Sequence, residues 1–193
     1  MIPSDWSIVK CGDIFNRRTE KGNSICLRYL TCGITSGVLY QDDFNGATKL
    51  KENTDLNEMR TIHKNDFIMM LRSFQGGFVL SDLEGVSSTA YKVFYAKNLN
   101  KVYPRFFKYV FKSDAFIHLC GSLSTGAATQ SISFKTFQNV GIMLPPLKEQ
   151  QAIADYLDTQ CTKIDAQINY YTDLISELRQ YKQATISEYV TGK

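Results

Sequence analysis

The feature that most constrains this chain is a stretch near its C-terminus that contains neither proline nor glycine. Pro145 and Pro146 precede the stretch, and the next glycine is Gly192. Proline is tolerated in the first turn of a helix but not in its interior, so we expect one helix to begin just after the pair. At about 1.5 Å per residue, a helix from Leu147 to about Glu188 would be roughly 60 Å long.

Apolar residues recur along this stretch at alternating spacings of four and three. They are Leu157, Cys161, Ile164, Ile168, Tyr171, Ile175 and Leu178. An average spacing of 3.5 is typical of the narrow seam of a coiled coil, not of the wider stripe of a helix that lies on a globular core. Because so long a helix cannot bury its seam against itself, we predict that these seven residues form an interface with a second helix.

Four short motifs also stand in order along the stretch. They are PPLKEQ at 145–150, IADYLD at 153–158, KID at 163–165 and ISEYVTGK at 186–193. Together they resemble the conserved helical segment of type I restriction–modification specificity subunits. The opening IPSDW, followed by Gly12-Asp13-Ile14, is similar to the start of the target-recognition domain of such a subunit, whereas the middle of the chain matches only in pattern.

The resemblance implies a mixed α+β target-recognition domain over residues 1–146 and a conserved dimerisation helix over 147–193. It implies a subunit that binds double-stranded DNA and positions two DNA adenine methyltransferase subunits, with or without restriction subunits. S-adenosylmethionine, magnesium and ATP would belong to those partners, so we expect no cofactor here. A full specificity subunit has two recognition domains and two helices, whereas this chain has no internal repeat. It corresponds to a half-subunit that pairs antiparallel with itself, or to a fragment that expects another half.

Charge is distributed unevenly along the chain. Residues 1–146 carry 17 Lys and Arg against 12 Asp and Glu, a net charge of +5, whereas residues 147–193 have a net charge of −2. A polyanion would therefore meet the first part, and counter-ion release would make its binding salt-sensitive. No apolar run approaches the roughly 20 residues of a membrane span. Five cysteines without a Cys-x-x-Cys pair, together with only two histidines, favour reduced thiols in the cytoplasm and no metal site.

Three polar segments and one helix are candidates for contact with DNA. The first segment is a predicted basic loop at 16–23, which follows a short helix near residues 13–15. The second is a turn at 72–77 after a predicted strand. The third is a loop of small residues at 121–131. Pro104 begins a predicted helix that runs to about Cys120, on which Arg105, Lys108 and Lys112 share one face. The candidate DNA-binding residues are Arg17, Arg18, Lys21, Arg72, Ser73, Gln75, Arg105, Lys108, Thr125, Thr129, Gln130 and Ser131. The alternative for each segment is a solvated connector or a solvated basic face.

Apolar patterns predict the strands between these segments. The predicted strands cover residues 25–31, a short segment before Tyr40, 67–72, 78–80 and 90–95, the last with Lys92 and Phe94 on one face.

Catalytic motifs are not found in the sequence. Asp82-x-Glu84 lacks the lysine that a metal-dependent nuclease site requires, and Leu144-Pro145-Pro146-Leu147 lacks the asparagine and the aromatic residue of an adenine methyltransferase motif. No glycine-rich phosphate loop is present. We therefore expect a non-catalytic chain. Two alternatives stay open: a coiled-coil scaffold with no role on DNA, and a recognition domain detached from a fused restriction–methylation enzyme.

Overall fold

The computed structural model describes residues 3–22, 28–34, 36–43, 54–70, 77–124 and 131–192. Within them the strands are β1 (Ser7–Lys10), β2 (Phe15–Arg18), β3 (Leu30–Gly33), β4 (Gly37–Tyr40), β5 (Arg60–Ile62), β6 (Phe67–Met69), β7 (Phe78–Leu80), β8 (Gly85–Ser87), β9 (Lys92–Ala96) and β10 (Gly141–Leu144). The helices are α1 (Cys11–Ile14), α2 (Pro104–Val110), α3 (Asp114–Ser122), α4 (Phe134–Gln138) and α5 (Leu147–Thr191). The predicted α+β class with a long C-terminal helix is confirmed.

The Cα positions divide the chain into two compact units, Met1–Ala152 and Ile153–Lys193. The first unit contains the strands, the four short helices and the first turns of α5. The second is the remainder of α5, so the globular unit extends six residues beyond the expected boundary at residue 146.

A four-stranded antiparallel sheet with the order β2-β9-β6-β7 forms the centre of the first unit. Phe67 pairs with Phe94 and Met69 pairs with Phe78, so these side chains share one face. Phenylalanines from α2, α3, α4 and the turn after α2 cover that face: Phe107, Phe111, Phe116, Phe134 and Phe137. Edge-to-face and tilted contacts with centroids 4.8–5.6 Å apart join these rings to the sheet, geometries that aromatic pairs prefer.

The opposite face of this sheet packs on the shorter strands. Ile68, Val79 and Val93 form a second buried cluster with Leu30 of β3 and Ile62 of β5. Strand β3 pairs with β4, and β5 pairs with β8. Gly85 of β8 lies so close to the β3 side that an added Cβ would collide with the carbonyl oxygen of Arg28. Because the central strands are buried on both faces, β6 lies within a continuous apolar run and not an alternating one.

Two sequence predictions were wrong in the first unit. Residues Phe15–Arg18, expected to lie partly in a loop, form β2, because pairing with β9 supplies backbone hydrogen bonds that the local sequence does not reveal. The helix expected from Pro104 to Cys120 is interrupted, since the Ser113 side chain accepts a hydrogen bond from Phe116 N and caps a new helix. Lys112 lies in the turn between α2 and α3, so it does not extend a helical face with Arg105 and Lys108.

The long helix predicted from the proline–glycine punctuation is confirmed. Helix α5 contains 45 residues and ends before Gly192, whose φ of +66° is the left-handed conformation that glycine readily adopts at a helix C-terminus. Gln150 in its first turn is completely buried. Its amide accepts a hydrogen bond from Tyr103 N at 2.8 Å and donates to the carbonyl oxygens of Lys101 at 2.9 Å and Pro145 at 2.8 Å. These bonds fix the start of α5 in the globular unit.

Candidate nucleic-acid interface

Strand β2 directs two consecutive arginines to opposite faces of the central sheet. Arg17 pairs with Phe94 and therefore lies on the aromatic face, whereas Arg18 pairs with Val93 and lies on the other face. The two residues have the same chemistry and adjacent positions, but their environments differ.

Arg18 is held by a carboxylate. Its Nε donates to Asp66 Oδ2 at 2.6 Å and its Nη2 donates to Oδ1 at 2.9 Å, while Asp66 also accepts from His63 N at 2.9 Å. Burial alone would lower the pKa of Arg18, but the hydrogen bond and charge of Asp66 raise it above its usual value. Burial raises the pKa of Asp66, and the hydrogen bonds from Arg18 and His63 offset part of that effect. The bidentate geometry is that of a structural ion pair.

Arg17 lies in a different electrostatic setting. Its guanidinium is 5.8 Å from the ring centroid of Phe134, and its side chain is exposed. Burial and then the charge of Arg17 lower the pKa values of both Lys92 and Arg60. Among the described residues, none of these three cations forms an ion pair with a carboxylate. Arg17, Lys92 and Arg60, here called the cation group, therefore lie near the end of β2, and no carboxylate of the described residues forms an ion pair with them.

Lys21, the third predicted basic residue of this region, forms an exposed ion pair. Its Nζ lies 2.5 Å from Glu58 Oε2, with both side chains more than half exposed. Exposed ion pairs contribute little stability, so a phosphate group could displace Glu58 at small cost.

Lys108 of α2 and Lys112 of the turn after it lie elsewhere. Lys108 and Lys112 line a cavity of about 290 Å³ together with Val79 and Leu80 of β7. Strand β7 forms the edge of the central sheet opposite β2, three strand spacings or roughly 14 Å away. The structure thus separates Lys108 from the cations near β2, and Arg105 is exposed in the first turn of α2.

Ser131 is half-buried next to Ile132, whose carbonyl oxygen accepts a hydrogen bond from Lys92 Nζ at 3.2 Å. The end of the predicted small-residue loop therefore lies at the cation group. The other predicted loop residues lie outside the described part of the chain: Arg72, Ser73, Gln75, Thr125, Thr129 and Gln130.

The predicted interface residues of α5 differ in exposure. Leu157 and Cys161 are half-buried. The rest are 50–59% exposed: Ile164, Ile168, Tyr171, Ile175 and Leu178. Ile186 and Tyr189 continue the same helical phase and are also exposed, although the sequence analysis did not include them.

Sequence reasoning missed Arg60, Lys92, Asp66 and Gln150. The strand pattern did place Lys92 and Phe94 on one face, which the register confirms. It could not show that Arg17 lies beside them, because β2 and β9 are distant in the chain.

Features of other site classes are absent from the described residues. They contain no cluster of three or more His, Cys, Asp or Glu side chains that could hold a metal ion. Cys11, Cys32, Cys120 and Cys161 are free thiols, and burial raises the pKa values of Cys32 and Cys120 to about 12. None of the described helices has the length and apolar character needed to cross a membrane.

Comparison with known families gives a match over most of the chain. A family model described as the type I restriction modification DNA specificity domain matches residues 3–170. The matched range contains the whole globular unit after residue 2 and about half of α5.

Curated proteins similar to this chain are specificity subunits. The specificity subunit of the type I restriction enzyme EcoKI from Escherichia coli K12 is 30% identical over 92 residues, which are 48% of this chain and 20% of that subunit. The StySPI specificity subunit from Salmonella potsdam is 29% identical over 89 residues, 46% of this chain and 19% of that subunit. The matched segment therefore spans about a fifth of the length of these relatives.

Two solved structures are similar in fold. A chain from a structure on the assembly and conformational transition of the type I R-M system has a TM-score of 0.68 at 16% identity, covering 97% of this chain and 46% of that one. The HsdS subunit from Thermoanaerobacter tengcongensis has a TM-score of 0.54 at 18% identity, covering 86% of this chain and 40% of that one. This chain matches less than half of either solved chain.

Proposed function

This chain belongs to the family of type I restriction–modification DNA specificity domains, and we propose that it reads the DNA target for a type I restriction–modification system. In that role the chain is a non-catalytic specificity component, and methylation and cleavage are carried out by partner subunits. The observation that carries the proposal is the family match over residues 3–170, which includes both the globular unit and the first half of α5.

The proposed DNA surface lies around the end of β2. Arg17, Lys21 and Arg60 supply positive charge there, and Lys21 exchanges its exposed partner Glu58 for a phosphate. Contacts to phosphates fix the position of a protein on the duplex but carry no base sequence. Arg18 is assigned to the fold and not to DNA, because Asp66 already occupies its guanidinium.

Bases are read by the two predicted loops in this proposal. Arg72, Ser73 and Gln75 belong to one predicted loop and Thr125, Thr129, Gln130 and Ser131 to the other; of these residues the structure describes only Ser131. The support is positional, since Ser131 is adjacent to Ile132 at the cation group. Replacing Gln75 or Gln130 would cost about 1–3 kcal/mol at particular base pairs, as expected for a lost bidentate contact to a base edge. Lys108 lies near β7 at the opposite edge of the sheet, so we assign it and Arg105, on the same helix, only a secondary contact with the DNA backbone.

Self-association through α5 completes the proposed assembly. Five of the seven seam residues are at least half exposed in the single chain, and a contiguous apolar row of this kind marks an interaction surface. Two copies pairing antiparallel would be related by a two-fold axis. Each copy then reads one half-site, and the pair offers its helices to the adenine methyltransferase subunits.

Reconstituted methylation tests the proposed function. The chain and the methyltransferase subunit of the same system are expressed together, and each alone, in a host without other adenine methylation. We expect adenine methylation at one sequence motif only when both are present. Methylation by the methyltransferase alone at the same motif, or none with both, would contradict the proposal. Normal complex formation without duplex binding would instead favour a coiled-coil scaffold.

The neighbouring genes distinguish our proposal from the remaining alternative, a domain detached from a fused enzyme. A recognition domain detached from a fused restriction–methylation enzyme requires a catalytic domain encoded just upstream in the same frame. A separate methyltransferase gene adjacent to this one agrees with our proposal.

A further inference from the structure

The register of β2 and β9 places two cations next to each other on one face of the central sheet. Arg17 pairs with Phe94, and Lys92 lies two residues before Phe94 on β9. Side chains two residues apart on a strand point to the same face, so Arg17 and Lys92 are diagonal neighbours. Diagonal pairs in an antiparallel sheet are about 7–8 Å apart, within reach of long side chains.

Both cations are held at this position by other groups. The Arg17 guanidinium lies near the ring of Phe134, and the Lys92 ammonium donates to the carbonyl oxygen of Ile132 at 3.2 Å. Phe134 and Ile132 flank the N-cap residue Ser133 of α4. The two cations are therefore fixed against one short segment, which begins where the predicted DNA-reading loop ends at Ser131.

Charge around this pair is not balanced by the described carboxylates. Glu20 and Asp66 bind Arg18, and Glu58 binds Lys21. Burial and the charge of Arg17 lower the pKa of Lys92, and Arg60 experiences the same two effects. Adjacent like charges without counter-ions destabilise a folded protein. An anion bound between them would remove the repulsion and gain two charge-assisted hydrogen bonds.

We propose that Arg17 and Lys92 together bind one phosphate group of the DNA backbone, and that Lys92 positions Ser131 and Ile132 against that phosphate through the carbonyl of Ile132. The site rests on the proposed DNA-binding function and adds to it a lysine from β9, distant in sequence from the predicted basic region. A phosphate at this point sets the register of the duplex relative to the loop that reads its bases.

The salt dependence of duplex binding tests the site. The logarithm of the association constant falls with the logarithm of salt concentration by about 0.9 for each phosphate contact. In complexes that bind a mixed-sequence duplex, we expect Arg17→Met and Lys92→Met each to reduce this slope by up to about one per chain. In the double variant the slope should fall by no more than about one in total, because both cations bind the same phosphate. A double variant that loses about two would show two separate contacts and overturn the shared site.

Matched variants separate phosphate binding from loss of structure. Lys97→Met is the control, since Lys97 Nζ also donates to a backbone carbonyl, that of Gly12, at 2.6 Å. It should leave the slope unchanged. Lys92→Arg keeps the charge and should restore the wild-type slope. If Lys92 only stabilises the backbone at Ile132 and does not contact phosphate, Lys92→Met lowers affinity equally at all salt concentrations, and the proposal fails.

A second probe distinguishes DNA from free phosphate. Inorganic phosphate is titrated against protein with ¹³C-labelled lysine side chains, with the Lys92 resonance as the readout. Saturation well below about 1 mM would indicate a site for a small phosphate compound and overturn the DNA assignment. Failure of the wild-type complex to bind any duplex would contradict the proposed function itself, whereas normal binding with unchanged slopes in all variants would contradict only this site.

Discussion

Arg18 and Asp66 form a bidentate ion pair, with Nε donating to Oδ2 at 2.6 Å and Nη2 donating to Oδ1 at 2.9 Å. The pair joins β2 to the residue that precedes β6, 48 positions along the chain. Asp66 is almost fully buried, and Arg18 reaches solvent over about a fifth of its side chain. The ion pair therefore removes one arginine of β2 from the proposed DNA-binding surface and leaves its neighbour Arg17.

Breaking this ion pair should destabilise the globular unit. Arg18→Met leaves a buried carboxylate unpaired, and we expect a loss of about 3 kcal/mol, near the lower end for a broken buried pair because Arg18 is partly solvated. Urea unfolding measures the loss. The double variant Arg18→Met, Asp66→Leu should recover part of it. Lys21→Met, which breaks the exposed pair with Glu58, should have an effect near zero. Equal losses in Arg18→Met and Lys21→Met would contradict the structural role.

Two consecutive glutamines at the start of α5, Gln150 and Gln151, should contribute very differently to the stability of the protein. Gln150→Ala leaves Tyr103 N and the carbonyls of Lys101 and Pro145 without their partner, so we expect a loss of about 2–4 kcal/mol. Gln151 is exposed, and Gln151→Ala should leave stability almost unchanged. Thermal and urea unfolding of the two variants compare them directly. A Gln150→Ala protein as stable as the Gln151→Ala protein would show that these hydrogen bonds do not hold α5 in place.

The affinity for DNA should fall in the alkaline range. Burial and Arg17 lower the pKa of Lys92 below its usual 10.5 in the free protein. A bound phosphate raises that pKa, so binding takes up a proton between the two values. Affinity is therefore highest below the pKa of the free protein and is lost as the pH rises through it. As the pH rises toward the lowered pKa of Lys92, binding should decline more steeply in the wild type than in Lys92→Arg, whose guanidinium stays charged. Identical pH profiles would contradict the prediction.

Charges on the seam of α5 should produce a monomer. Ile168→Glu with Ile175→Glu places two carboxylates in the proposed helix pair, and sedimentation should show a single chain whose globular unit is still folded. The control is Asn169→Glu with Ser176→Glu, which adds the same charges about 100° around the helix and should stay dimeric. A wild-type monomer at micromolar concentration, or a control that also dissociates, would contradict pairing through the seam.

Local signals in the sequence predicted α5 but not the strand pairings. Pro146 and Gly192 delimit the helix, and its apolar spacing is contained within the element itself. Strand β2 could not be predicted, because its polar residues form a strand only through pairing with β9. Strands β5 and β8 have three residues each, too few for a period to show. The break in the 104–120 helix had a readable signal, since Ser113 is a favoured N-cap.

The candidate site was predicted only in part, because local patterns do not reveal which strands pair. Basic residues near β2 are visible as composition, and alternation along a strand implies that Arg17 and Arg18 point to opposite faces. Only the tertiary structure shows that Asp66 forms an ion pair with Arg18 and that Lys92 lies diagonally opposite Arg17. Asp66, just before β6, and Lys92, on β9, both lie far along the chain from β2, and no local pattern encodes such a pairing.

The length of α5 should set the spacing of the target. Deleting Thr172–Leu178 from each copy removes one heptad, keeps the seam in phase and shortens each helix by roughly 10 Å. At about 3.4 Å per base pair, the spacer between half-sites should shrink by up to about three base pairs while the half-sites stay the same. A spacer whose length is unchanged by the deletion would contradict the proposal that the helix pair sets the distance between the half-sites.

Genome-wide methylation mapping of cells that contain this chain and the proposed methyltransferase partner tests the central claim most directly. Two identical chains related by a two-fold axis should read a two-fold symmetric sequence. We therefore predict an interrupted palindrome, with one short half-site, a spacer of unread bases and the inverted copy of the half-site. A single asymmetric motif would contradict the symmetric pair, and methylation without any sequence motif would contradict DNA recognition by this chain.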